Sequence, residues 1–167
     1  MTANKRFSLW LGVSALVIVL DQYTKWLVQQ ALALGEGIPV TSFFDLVFVY
    51  NRGAAFSFLA NHSGWQRWFF VGLAVVICGW LLAMLRRHQD ETLQPLAFTL
   101  VIGGAIGNVI DRLAHGAVVD FLYFHAGRYG WPAFNVADSA ICVGVALMVL
   151  AQLRAPHAGP QKKASTT

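Results

Sequence analysis

Charge is what this chain has least of. Asp, Glu, Lys and Arg make up 12% of its 167 residues against 57% hydrophobic ones, roughly half the charged share of an ordinary soluble domain. A soluble globular domain is thereby excluded, and an integral membrane protein is left. A spanning helix needs about 20 mostly apolar residues. The chain supplies several of them with one compact membrane domain over 1–155 and no room for a second. Cysteine is nearly as scarce. Cys78 and Cys142 both lie inside apolar runs, without metal-ligand spacing or a neighbouring His, so a disulfide or zinc framework is excluded and both read as packing residues. The five histidines never form His-Glu-x-x-His, no Gly-rich phosphate loop is present, and Ser139 lacks nucleophile-elbow glycines and an adjacent base. The net charge of +4 has no aromatic-interleaved basic stripe behind it, which argues against nucleic acid.

What is present is hydrophobic length in four pieces. Lys5 and Arg6 before Phe7–Leu20 resemble a signal peptide, with Ala31-Leu32-Ala33 as a small-residue cleavage pattern. The run, however, continues past Asp21 and Lys25 to about Leu34, too long and too charged inside for that. It predicts a first span over about 7–34. Asp21 lies roughly 20 Å along it, in the far half of the bilayer, and the i, i+4 spacing puts Lys25 on the same face. Either a structural ion pair or a site-supporting pair fits there. Gly35, Gly37 and Pro39 end the helix, and 38–60 changes character. Phe43 to Tyr50 is aromatic and β-branched, and Asn51-Arg52-Gly53 offers a turn. Such backbone cannot face lipid unpaired, so a small sheet at the interface is expected. Trp65 and Trp68 mark the aromatic belt before a second span over 68–85. The third covers 95–113, with Gly103-xxx-Gly107 inviting close helix packing. The fourth covers 133–153, and 156–167 reads as a disordered cytoplasmic tail.

Lys and Arg number seven on the side holding both termini and the Arg86 loop, against five opposite, which orients both termini to the cytoplasm. Asp21, Asp111, Asp120 and Asp138 then gather near the outer interface. Carboxylates there are costly and mark function. Asn108, Asp111, Arg112 and His115 share one helix face and predict a polar stripe into the bundle. Asp111 beside Arg112 reads first as an ion pair pinning a helix end. Asn135, after Pro132, suits a helix cap, with Asp138 in the first turn where the macrodipole favours an anion. Asp120 sits in the strand-like run Ala117–Phe124, where a lone carboxylate has no bland purpose. Two close carboxylates cannot both ionise, so one holds a proton while the other draws one from water. An acid-lined ion pathway or a non-enzymatic assembly subunit is the competing reading, but spans two and three carry no polar residue at mid-depth.

Taken in order, Asp21-Gln22-Tyr23-Thr24-Lys25, Tyr50 to Ser57, Gly103 to Asn108 running into Asp111-Arg112, Val119-Asp120-Phe121 and Phe134 to Ser139 resemble the bacterial lipoprotein signal peptidases, or signal peptidase II, over nearly the whole chain. The resemblance implies an inner-membrane aspartyl endopeptidase that removes the signal peptide of a diacylglyceryl-modified prolipoprotein, cutting just before the lipidated cysteine. It implies Asp120 and Asp138 as the catalytic pair, with Asp21, Lys25, Asn51, Arg52, Gly53, Asn108, Asp111, Arg112, Asn135 and Ala137 supporting the site or binding substrate. No cofactor or metal is implied. The expected architecture is four transmembrane helices with a small periplasmic β-sheet at the outer interface. The expected partners are the prolipoprotein, membrane lipids and the cyclic peptide inhibitor globomycin, with no nucleic acid and a monomeric state. The Val40 to Phe58 sheet and the Phe121 to Trp131 segment, read as a loop, are expected to clamp the substrate's peptide.

Overall fold

A computed structural model describes residues 2–53 and 64–154. These residues form four helices: α1 (Ala3–Ala31), α2 (Trp65–His88), α3 (Leu93–His115) and α4 (Val136–Arg154). All four are long and apolar enough to cross a membrane. The first helix ends earlier than the apolar run suggests, because Leu32 turns to extended backbone after its N–H bonds Val28. The run from Leu32 to Leu34 instead leads toward a strand. Residues 54–60 of the expected sheet region and the tail 156–167 lie outside the described residues.

Helix α3 is the centre, with α1, α2 and α4 all packed against it. In lipid no hydrophobic gain separates one apolar surface from another, so association depends on close approach and polar contacts. Both are here. A Cβ on Gly103 would come within 2.8 Å of the Ser14 carbonyl of α1, so only a bare backbone lets the two helices meet. Ser14 Oγ also donates to the Thr99 carbonyl at 2.9 Å. Toward the opposite end, Leu81, Leu85, Phe98 and Ile102 form an apolar cluster between α2 and α3. There Arg6 pairs with Asp90, and the Trp10 indole donates to the Gln89 carbonyl at 3.2 Å.

At the other end sits one antiparallel sheet of β1 (Gly37–Pro39), β2 (Phe44–Asn51), β3 (Val118–Ala126) and β4 (Tyr129–Gly130), in that spatial order. The segment expected as a loop from Phe121 to Trp131 is therefore strand and hairpin. Its first half pairs with β2 and its second folds back on itself, His125 opposite Gly130. Between Leu46 and Val49 the register steps, leaving Val47 and Phe48 opposite Phe121 as a β-bulge. Phe48, Val119 and Phe121 pack on Val28 and Leu32 at the end of α1. That contact fixes the sheet over the mouth of the bundle.

Candidate active site

Lys25 anchors a buried polar cluster at the sheet end. An ammonium has three donors and no acceptor, and each donor here has a partner: Asp21 Oδ2 at 2.8 Å, Asp111 Oδ2 at 2.9 Å and Asn108 Oδ1 at 3.1 Å. The i, i+4 pair anticipated from spacing is present, at 0% exposure for Asp21 and 2% for Lys25. The anticipated ion pair between Asp111 and Arg112 is not. Consecutive helical residues do not face one another. Asp111 turns to α1, whereas Arg112 lays its guanidinium over the Phe70 ring of α2 at 4.8 Å and donates to the Asn108 carbonyl at 3.3 Å. Nor does the expected stripe run inward along its whole length. Asn108 and Asp111 are buried, but His115 is exposed, its ring against Tyr50.

The flanking carboxylates spend their oxygens on structure. Asp21 Oδ1 accepts the Ala137 N–H at 2.9 Å, capping α4 from another helix. Asp111 Oδ2 accepts the Val119 N–H at 2.9 Å, tying β3 to α3. Gln22 joins them, donating to Asp111 Oδ1 at 2.8 Å and to Asp21 Oδ2 at 3.2 Å. Sequence reasoning did not single out Gln22. A polar residue beside Asp21 in an apolar helix was the available signal.

Asn135 holds the remaining two aspartates. As the cap of α4 its Oδ1 accepts the Asp138 N–H at 2.9 Å, while Asp138 Oδ2 accepts the Asn135 N–H at 3.3 Å. This is a reciprocal capping box with aspartate in the third helical position. Its Nδ2 donates to Asp120 Oδ1 at 2.7 Å and to the Val119 carbonyl at 3.2 Å. The other oxygens are held too. Asn51 Nδ2 donates to Asp120 Oδ2 at 3.0 Å, and Asn108 Nδ2 to Asp138 Oδ1 at 2.8 Å. Asn51 is itself fixed, because its Oδ1 accepts the Gly53 N–H at 3.1 Å. Ala137 is fully buried, and Arg52 is exposed at the end of β2. Burial pushes the Asp120 carboxyl up to about 7, and the charge of Asp138 acts in the same direction. The hydrogen bonds from Asn51 and Asn135 and the Lys25 charge pull the other way. A carboxyl so placed exchanges its proton near neutral pH, as acid–base catalysis requires. Among the described residues no cluster of His, Cys, Asp and Glu has metal-holding geometry.

Residues 13–154 match the family model described as signal peptidase (SPase) II. The chain belongs to the signal peptidase II family. A lipoprotein signal peptidase of Azoarcus sp. (strain BH72) is 70% identical over 157 residues, covering 92% of this chain and 89% of that one. Another, of Ralstonia nicotianae, is 54% identical over 87% and 84% of the two chains. Among solved structures, a bacterial membrane enzyme determined by the in meso method at 2.3 Å superposes with a TM-score of 0.79 at 29% identity, covering 96% of this chain and 94% of that one. The chain is thus a multi-pass membrane enzyme, an aspartic peptidase that removes signal peptides from prolipoproteins.

The scaffold of this peptidase has little slack. A Cβ on Gly107 would lie 2.6 Å from Asp21 Oδ2, the oxygen that holds Lys25. Gly107→Ala is expected to lower stability by about 1–3 kcal/mol and to slow cleavage, read from thermal unfolding and turnover in detergent. An unchanged melting temperature would mean that α1 yields freely at that point.

Proposed function

We propose that Asp120 and Asp138 are the catalytic pair of this signal peptidase. The observation that carries the reading is their contrast with Asp21 and Asp111. Those two bind the Lys25 ammonium, whereas Asp120 and Asp138 come from separate elements, are joined through Asn135, and have no ion-pair partner among the described residues. One carboxylate draws a proton from water, the water attacks the scissile carbonyl, and the protonated partner donates to the carbonyl oxygen. Asn51, Asn108 and Asn135 hold both groups at fixed orientation before substrate arrives, and that preorganisation lowers the barrier.

The substrate is a prolipoprotein whose cysteine carries diacylglycerol, cut on the N-terminal side of that cysteine. Both termini lie in the cytoplasm and the pair at the periplasmic face of the inner membrane, as the Lys and Arg distribution favours. The diacylglyceryl tails stay in the outer leaflet, so the lipidated cysteine arrives at the height of the carboxylates. The sheet and the β3–β4 hairpin clamp the peptide on either side of the bond. The enzyme acts as a monomer among membrane lipids, within one domain over 1–155, and globomycin blocks it.

The test is direct. Purified protein in detergent is incubated with a diacylglyceryl-modified prolipoprotein and with the same chain lacking the lipid, with globomycin in a parallel sample, and products are identified by mass. Cleavage before the cysteine of the lipidated chain alone, blocked by globomycin, is expected. Equal cleavage of both chains would remove the lipid from the recognition scheme, and cleavage elsewhere would refute the site of cutting.

A further inference from the structure

The dyad reading leaves open which aspartate holds the proton, and the hydrogen-bond directions answer it. We infer that the shared proton rests on Asp120, that Asp138 activates water, and that Lys25, acting through the Asn108 amide, is the positioning residue that fixes this order.

An amide can be turned either way unless a neighbour forbids it. Here Lys25 forbids it. The ammonium only donates, so the Asn108 oxygen must face Lys25 and its NH₂ must face Asp138. The ammonium thereby polarises the amide that donates to Asp138, giving a charge-assisted bond through one intermediary. The second donor to Asp138 is the Asn135 N–H at the positive end of α4. Asp120 differs on each count. It lies in a strand, with no helix end, and its two donors are the neutral amides of Asn51 and Asn135. It is also the more fully enclosed of the two, 1% exposed against a half-buried Asp138, and burial favours the neutral acid.

Among the described residues, the charged groups facing the pair are Asp21 and Lys25 from α1 and Asp111 and Arg112 from α3, and β2 contributes the neutral Asn51. Asp21 and Asp111 outnumber Lys25, but each is also satisfied by a main-chain N–H and by Gln22. The third donor of the ammonium goes to the Asn108 amide, on the Asp138 side. In the forward step Asp138 takes a proton from water, the water oxygen bonds to the scissile carbon, and Asp120 gives its proton to the carbonyl oxygen. In collapse the C–N bond breaks, Asp138 returns its proton to the leaving nitrogen, and a gem-diol hydroxyl restores the proton of Asp120.

This rests on the dyad assignment, and single Asp→Asn changes cannot locate the proton, because two coupled acids titrate as a pair. The neighbouring amides can, since of the two aspartates Asn51 bonds only Asp120 and Asn108 only Asp138; Asn108 reaches Asp120 only indirectly, where its Oδ1 accepts from Asn135 Nδ2 at 3.3 Å. The pH profile of kcat/KM on a diacylglyceryl prolipoprotein is measured for wild type, Asn51→Ala and Asn108→Ala. Losing a donor disfavours the ionised form of its carboxylate. Asn51→Ala is expected to move the alkaline limb up by roughly one pH unit and leave the acidic limb in place. Asn108→Ala is expected to move the acidic limb up by a similar amount. The crossed result, with Asn51 controlling the acidic limb, overturns the assignment. So does a fall in rate with both limbs fixed, which marks a merely structural role. If Asn108→Ala fails to fold, Asn51→Ala decides alone. Full activity of Asp120→Asn would instead defeat the dyad itself.

Discussion

Asp120→Asn and Asp138→Asn are each expected to reduce turnover by at least about 10²–10⁴-fold, the range that a positioned acid or base contributes, while the protein stays folded. Asparagine keeps the shape of aspartate and one acceptor oxygen. At position 120 that oxygen can still meet Asn135, and at position 138 it can still meet either Asn108 or the Asn135 N–H. One donor at each site loses its acceptor, at a cost of about 1–3 kcal/mol. The effects are not additive, because the two groups act in one step; the double variant is expected to be no slower than the worse single one. Asp111→Asn serves as the contrast. Its oxygens hold Lys25, Gln22 and the Val119 N–H, so its loss falls on stability and only indirectly on rate. Turnover of the folded variants, compared at equal melting behaviour, checks all three. Should Asp111→Asn alone abolish cleavage, the pair has been assigned to the wrong partners.

Contacts made within one element were legible in the sequence, whereas the partners in those that cross between elements were not. The Asp21–Lys25 pair follows from i, i+4 spacing, and the cap at Asn135 with Asp138 one turn on follows from local chain chemistry. Gly103-xxx-Gly107 announced a close approach, and α1 makes it. The partner of Asp111 could not be read the same way. Its nearest cation in sequence is Arg112, yet helical geometry points the two apart, and only the packing of α1 on α3 delivers Lys25. The β3–β4 hairpin was missed for a related reason. Gly127, Gly130 and Pro132 look like loop residues, and the strand beyond Phe124 exists because the chain turns at Gly127, which has a φ of 59°, and pairs with itself. Asn135 as the bridge to Asp120 is likewise tertiary. It needs β3 and the start of α4 side by side, which the Phe134 bonds to Phe121 and Leu122 secure.

Lys25→Met is expected to be the most destabilising single change, by about 3–5 kcal/mol, the cost of leaving a buried charge without its partner. Methionine matches the length and packing of the lysine stem, so the loss isolates the charge. Asp21 and Asp111 would then face each other across the vacated site with Gln22 as their shared donor, and the cap on Ala137 and the tie to Val119 would loosen with them. Both α4 and β3 depend on those bonds for the placement of Asp138 and Asp120, so thermal unfolding in detergent and turnover fall together. The triple variant Asp21→Asn, Lys25→Met, Asp111→Asn separates the causes. With positions 21, 25 and 111 all neutral it should recover most of the lost stability, because a neutral core of the same shape often holds as well as an ion pair. It should not recover the wild-type pH profile, since no ammonium polarises the Asn108 amide. A triple variant with restored stability and an unshifted acidic limb would reduce Lys25 to a structural role.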